Sequence, residues 1–434
     1  MQMTSTLKAD RIRLLSFSSP PMRAFHMSWI GFFCCFFAWF GMAPLMAIVR
    51  REMQLTPAQV GNIIIASVAG TILARLGIGW VCDRFGPRLT YTWLLIIGAL
   101  PVMSVGLARD YQSFLIFRLA IGAIGASFVV TQYHTSVMFA RNCVGTANAM
   151  TAGWGNMGGG VAQLVMPLIF SLFVTLGFSE FWGWRLAMLV PGALMLVTGL
   201  CYWMFTQDGP EKGKCQSTKP RGSFVEACRD PRVWALALIY GGCFGIEITI
   251  HNVAALYFTD NFGAGLRSAG AIVGAFGMLA LFARALGGFL SDRINLRFGL
   301  PGRVAFLASA LLTEGTLLIL FSRVTSMSLA VSMLLMFGLF VHISCGATYA
   351  VIPFINRKSV GSVAGIVGAG GNVGAVLSGF LFQGQLPWAT VFLLLGVAVT
   401  ISSCLALLVR FDRQQEIVEI ELPQISKASV AVMG

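Results

Sequence analysis

The stretch LARLGIGWVCDRFGPR, residues 73–88, decides how the rest of the chain is read. It is the end of an apolar helix that holds a bare cation, Arg75, and from Gly79 it turns into the pattern G-x-x-x-D-R-x-G-x-R. The chain does the same thing again 209 residues later. In FARALGGFLSDR (282–293) Arg284 stands eight residues before Asp292, as Arg75 stands eight before Asp83. Gly288 stands four before Asp292, as Gly79 does before Asp83. Two halves that share a helix end and an arginine predict an internally duplicated membrane protein with a pseudo-symmetric core.

Composition agrees. Of 434 residues 57% are hydrophobic and 11% charged, and the mean hydropathy is +0.79, far too apolar for one soluble core. A membrane span needs about 20 mostly apolar residues. Twelve such runs can be marked off, six on each side of the polar segment QDGPEKGKCQSTKPRGSFVEACRD (207–230). The expected fold is therefore an all-α integral membrane protein with twelve transmembrane helices in two pseudo-symmetric six-helix bundles. The expected units are a tail (1–26), a first bundle (27–206), a linker (207–232), a second bundle (233–410) and a tail (411–434), with residues 1–22 and 411–434 loosely ordered.

Lys and Arg set the orientation. With both termini in the cytoplasm, 21 of the 30 basic residues fall on cytoplasmic segments and six on outer ones. That bias predicts a multi-pass protein of the plasma (inner) membrane with both ends inside. It also absorbs the net charge of +13 without nucleic acid. The ten cysteines have neither C-x-x-C spacing nor a framework pattern, so no metal or disulfide scaffold is expected.

The middle of the expected membrane is unusually polar at a few positions. The fifth run opens AMTAGWGNMGGG (149–160), where Gly155 and its neighbours make one smooth side around Asn156. The eleventh answers with GIVGAGGNVGAVLSG (365–379), where Gly371 and its neighbours surround Asn372. Gly155 and Gly371 are expected to let helices approach closely. In the seventh run Tyr240, Phe244, Glu247 and His251 are spaced by four, three and four, one stripe of a helix too polar to face lipid. Glu247 and Glu314 are the acidic residues well inside apolar runs, and Glu314 reads as a structural hydrogen-bonding group. His134 and His342 read as core histidines. Counted at 1.5 Å per residue, Arg75, Arg284, Asn156, Tyr240 and Asn372 share a layer roughly 10–16 Å from the inner boundary. Glu247 falls about 10 Å further out by the same count.

A central arginine costs roughly 3 kcal/mol to insert. A structural role predicts carboxylates at the arginine level, and the helix-rise count places none there. Both cations are thus expected to face an exchangeable anion. Guanidinium is planar with paired donors, which suits a planar oxyanion such as nitrate, nitrite or a carboxylate. Asn156 and Tyr240 can add hydrogen bonds, while Phe128 and Phe244 can wall the flat faces. No nucleophile–base pair or metal triad points to an enzyme, and no cofactor is implied.

The G-x-x-x-D-R-x-G-x-R loop, AGWGNMGGG (152–160) and GAGGNVG (368–374) together resemble the nitrate/nitrite porters of the major facilitator superfamily over essentially the whole chain. RAFHMSWI (23–30) and CGATYAVIPF (345–354) are similar to the plant-type high-affinity nitrate transporters. The resemblance implies that Arg75 and Arg284 clamp the anion, with Asn156, Phe128, Tyr240 and Phe244 around it. It marks Asp83, Arg84, Asp292 and Arg293 as latch residues at helix ends. Ala152 stands where the respiratory exchangers of enteric bacteria have glycine, and those exchangers lack the acidic residue at Glu247 that plant-type relatives have. The resemblance therefore implies nitrate uptake, with nitrite a second candidate, by alternating access with proton symport, Glu247 and His251 being the coupling candidates. A nitrate/nitrite antiporter with the same site is the alternative, and a non-transporting sensor is a third reading. The expected partners are nitrate or nitrite, protons and the lipid bilayer; nothing in the sequence names an accessory subunit.

Overall fold

The computed structural model describes residues 8–140, 143–210, 223–356, 360–384 and 386–411. Its spans are α1 (Pro20–Glu52), α2 (Pro57–Phe85), α3 (Pro87–Leu107), α4 (Tyr111–Met138), α5 (Val144–Thr175) and α6 (Glu180–Phe205). After a short helix, Ser223–Arg229, follows α7 (Pro231–Phe262). The next apolar helical stretch, Leu266–Phe321, has 56 residues, about 84 Å of helix and twice a span. It breaks at Gly299, whose φ of +64° takes the chain out of the helix, into α8 (266–298) and α9 (300–321). The series ends with α10 (Met327–Ile355), α11 (Val360–Leu381) and α12 (Trp388–Leu408). Broken at Gly299, the eleven apolar helices among the described residues give twelve spans, as the apolar runs predict. Among the described residues there is no strand, only an isolated bridge between Ala9 and Phe139.

Local chemistry starts these helices where it should. Thr56 caps α2 in a reciprocal box with Gln59, and Pro57 sits at the first helical position. Asp110 caps α4 by accepting from the Ser113 amide at 2.9 Å, a bond that holds its carboxyl below the ordinary value. The first turn of α3 locks to the end of α6: Asp208, just past α6, accepts from the Arg88 amide at 2.9 Å, and the Arg88 guanidinium lies 4.0 Å over the Trp203 ring. Asp292 pairs with Arg303 of α9 at 2.6 Å, inside its own half, and Arg293 covers Phe289. Arg84 lies 5.6 Å from the Phe85 ring centroid. The side chain of Asp83 is outside the described residues.

Residues 9 and 17, expected to lie in a loosely ordered tail, make definite contacts. The Ala9 amide donates to Met138 at 3.1 Å, the Ala140 amide donates to Ala9 at 2.9 Å, and Phe17 stacks on His26. These contacts tie Ala9 to the α4–α5 connection and Phe17 to α1. Residues 412–434 lie outside the described residues.

The two halves meet closely at the end away from the termini. There Arg50 of α1 pairs with Asp260 of α7, and Gln383 beyond α11 donates to Asn62 of α2. At the other end an added Cβ on Gly79, Gly288 or Gly365 would meet nothing within 4 Å. The seam is closed on one side and loosely filled on the other.

Candidate functional site

Each arginine reaches across that seam. From α2, Arg75 donates to the Gly368 carbonyl of α11 at 3.1 Å and to the Gly125 carbonyl within α4 at 3.4 Å. From α8, Arg284 donates through both terminal nitrogens to the Asn156 amide oxygen of α5, at 2.8 and 3.0 Å. The amide orientation follows because a guanidinium can only donate. The duplicated arginines thus grip the duplicated glycine–asparagine helices of the opposite half. Between them lies a cleft with about 230 Å³ of empty space, part of it open to solvent, lined by Phe32, Arg75, Phe128, Asn156, Tyr240, Phe244, Arg284 and Tyr349. Its enclosed part has room for about one water-sized group, so the site suits only a small guest.

The walls are aromatic. Tyr240 and Phe244 stack at 5.0 Å, Tyr349 stands edge-on to Tyr240 at 5.2 Å, and Phe32 leans on Phe128 at 5.7 Å. Arg75 sits 5.5 Å from the Phe128 centroid and Arg284 5.5 Å from that of Phe244. Such faces hold a guanidinium in place while leaving its edge free to donate. Among the described residues both Nε atoms and the Tyr349 hydroxyl are buried without a hydrogen-bond partner, so donors remain for a guest.

The glycines turn out to serve two ends. Gly158, Gly370 and Gly374 let backbones touch: a Cβ there would fall 2.2 Å from the Phe33 oxygen, 2.3 Å from that of Ala237 and 2.4 Å from that of Gly241. Gly155 and Gly371 instead make room for the cavity's rings. A Cβ at 155 would lie 1.9 Å from the Phe32 ring, and one at 371 would lie 2.6 Å from Phe244 and 2.8 Å from Tyr240. The helices also come close at these two positions, as expected: a Cβ at 155 would lie 2.7 Å from the Phe32 β-carbon, and one on Gly245 of α7 would lie 3.1 Å from the Gly371 oxygen. Gly155→Leu or Gly371→Leu should drive a ring into the cavity and stop transport by protein that still reaches the membrane. Uptake normalised to surface expression is the measurement, and wild-type turnover by either variant would show that the rings can move aside.

Glu247 departs most from expectation. The helix-rise count put it about 10 Å beyond the arginines, but its carboxylate pairs with the Arg284 guanidinium. Two extended side chains bridge a gap that backbone arithmetic leaves open. Arg284 therefore has a carboxylate after all, whereas Arg75 has only carbonyls among the described residues. Beside Glu247 stand His342, with Nδ1 at 3.5 Å, and Cys345, with Sγ at 3.8 Å. His251, expected on the same stripe, packs between Phe40 and Phe276 at 4.9 and 5.5 Å and does not line the cavity. His342, which read as a core histidine, is the one within reach.

The asparagines are also unequal. Asn156 lines the cavity, but Asn372 is fully buried, donates along its own helix to Gly368 at 3.1 Å, and does not line it. Asn372 and Arg75 meet only through that shared carbonyl. Phe32 and Tyr349 line the cavity without having been singled out, since one more aromatic in an apolar run carries no signal. Arg118 was also missed, although a count could have found it: 21 cytoplasmic and six outer cations out of 30 leave three inside the membrane, Arg75, Arg284 and Arg118.

Known proteins similar to the chain show its family. The Major Facilitator Superfamily model matches residues 28–373. The chain is 40% identical to high affinity nitrate transporter 2.5 of Arabidopsis thaliana, over 86% of this chain and 76% of that one. It is 39% identical to high-affinity nitrate transporter 2.3 of Oryza sativa subsp. japonica, over 88% and 76%. It is 28% identical to the nitrate/nitrite transporter NrtP of Nostoc punctiforme, over 90% and 92%. Among solved structures it is similar in fold to a bacterial homolog of the human lysosomal transporter Spinster, with a TM-score of 0.70 at 18% identity over 88% of this chain and 95% of that one.

Proposed function

The chain belongs to the Major Facilitator Superfamily and, within it, to the family of the high-affinity nitrate transporters; on that premise we propose that it carries nitrate, and nitrite as a second substrate, into the cell. Its relatives are transporters by name and not enzymes. The observation that carries the reading is the small cavity at the seam, with a guanidinium from each half and aromatic faces on either side. A flat monovalent oxyanion offers in-plane acceptors to both guanidinium edges and flat faces to the rings. Arg75, Arg284, Asn156 and Tyr240 are the polar contacts in this reading, with Phe128 and Phe244 as walls and Asn372 as support for the Gly368 carbonyl.

The mechanism we infer is alternating access. Anion binding would draw the two arginines together from opposite halves, and the halves would rock about the seam. Closure at the Arg50–Asp260 and Asn62–Gln383 end, with unfilled glycine faces at the other, supports an inward-facing form if the termini are cytoplasmic. The Glu247–Arg284 pair supports proton coupling. Ionised, the carboxylate occupies a cation that the anion needs; protonated, it releases that cation. Proton and nitrate then favour each other reciprocally. In this reading His342 takes the place given to His251.

The test is flux into proteoliposomes with imposed pH and voltage gradients. Accumulation of nitrate driven by an inward pH gradient supports symport. Counterflow without such accumulation would leave an exchanger, and neither would remove the transport reading.

A further inference from the structure

Arg118 is a third arginine within the membrane, and the cavity does not use it. It enters α4 seven residues after Tyr111, so it lies on the closed side, about 10 Å from that end of the span. It is 3% exposed, and among the described residues its buried Nε has no hydrogen-bond partner. Among the described residues no carboxylate lies within salt-bridge distance. Its two contacts are long: Nη1 donates to the Trp39 carbonyl at 3.2 Å and Nη2 to the Asn252 side-chain oxygen at 3.5 Å. A buried guanidinium with no counter-ion is costly, and here it is only weakly compensated. A purely structural cation would be expected to have a carboxylate, as Arg185 has Glu52 and Arg303 has Asp292.

Position suggests what the cation is for. Asn252 belongs to α7, so the Arg118–Asn252 contact crosses the seam between the halves. Phe40 and His251 meet across the same seam, with ring centroids 4.9 Å apart. If the closed side opens, both contacts part and the guanidinium faces the water-filled approach to the cavity. We propose that Arg118 is an outer anion-binding site, which in the outward-open form captures the small oxyanion from solvent before it reaches Arg75 and Arg284. The proposal rests on the reading that the halves alternate. A lone cation on the approach raises the local concentration of anions and speeds their arrival, in a way that salt weakens. The weak contacts keep it ready, since little must be broken to free it.

The experiment compares wild type with Arg118→Gln, Arg118→Lys and Asn252→Ala, in nitrate uptake by proteoliposomes over a range of ionic strengths. Arg118→Gln should lower kcat/KM for nitrate about tenfold, mainly through KM, and should flatten its dependence on ionic strength. Arg118→Lys keeps the charge, so it should stay within about threefold of wild type and retain the salt dependence. Asn252→Ala removes the cross-seam contact but not the cation, and should leave KM near wild type. If Arg118→Gln lowers kcat with KM unchanged, or if Asn252→Ala reproduces its loss, Arg118 is a strut of the closed side and the proposal is overturned. Arg75→Lys measured alongside separates the two readings: normal nitrate binding there would sink the central site, whatever Arg118 does.

Discussion

Arg75→Lys and Arg284→Lys should each weaken nitrate binding by about ten- to hundredfold while the protein stays folded in the membrane. Charge-assisted hydrogen bonds contribute roughly 1.5–3 kcal/mol each, and lysine keeps the charge but loses the planar pair of donors. The two changes differ in what they leave behind. At position 75 the native side chain spans from Gly368 to Gly125, holding α11 and the α4 region at once. A lysine there can reach one of these carbonyls or the anion, not all three. At position 284 a lysine can still pair with Glu247, which matters because removing one partner of a buried pair costs about 3–5 kcal/mol. Alanine would therefore confuse lost binding with lost folding, and lysine avoids that. Asn156 would lose the forked contact it has with Arg284, so Arg284→Lys should also reduce transport at saturating nitrate. Equilibrium binding to purified protein, with uptake measured in parallel, checks both. Wild-type affinity in the two lysine variants would mean that the anion does not sit between the arginines.

Much of this arrangement is written in spacing. The repeat of Arg75–Asp83 as Arg284–Asp292 exposes the duplication, and Asn156 in its glycine run marks the helix that faces Arg284. Apolar runs give the spans because lipid demands their length, even where Gly299 is all that separates α8 from α9. What depth arithmetic cannot supply is side-chain reach. Rise per residue places α-carbons, yet Arg284 and Glu247 meet through their long side chains, so a pair was read as two separate levels. Sequence symmetry also overstates chemical symmetry: Asn156 accepts from a guanidinium, while Asn372 donates to a carbonyl of its own helix. A stripe of spacing cannot tell which of its members turn to the cavity, which is why His251 was preferred to His342 on another helix.

Glu247→Gln should uncouple the transporter without disabling its site. Nitrate moving into a cell held at −100 mV climbs about 2.3 kcal/mol per charge. One accompanying proton cancels that cost, and any further proton turns the potential into a driving force. For a proton to help, its binding must change the affinity for nitrate, and the Glu247–Arg284 pair provides the means. With Glu247 ionised, the two guanidiniums of the cavity have one carboxylate behind them, and it competes with the anion for Arg284. With Glu247 neutral, two cations face one anion. Glutamine fixes the second situation permanently. The variant should bind nitrate at least as well as wild type at neutral pH, with binding that no longer strengthens as pH falls through the range where Glu247 takes up its proton. It should exchange nitrate across the bilayer, yet fail to concentrate it when an inward pH gradient is the only driving force. Stability gives a second readout. Without nitrate the variant leaves Arg284 with no carboxylate, so nitrate should stabilise it against heat more than it stabilises wild type. Accumulation by Glu247→Gln under a pH gradient alone would remove Glu247 from the coupling step. His342, 3.5 Å from the same carboxylate, would then be the next side chain to change.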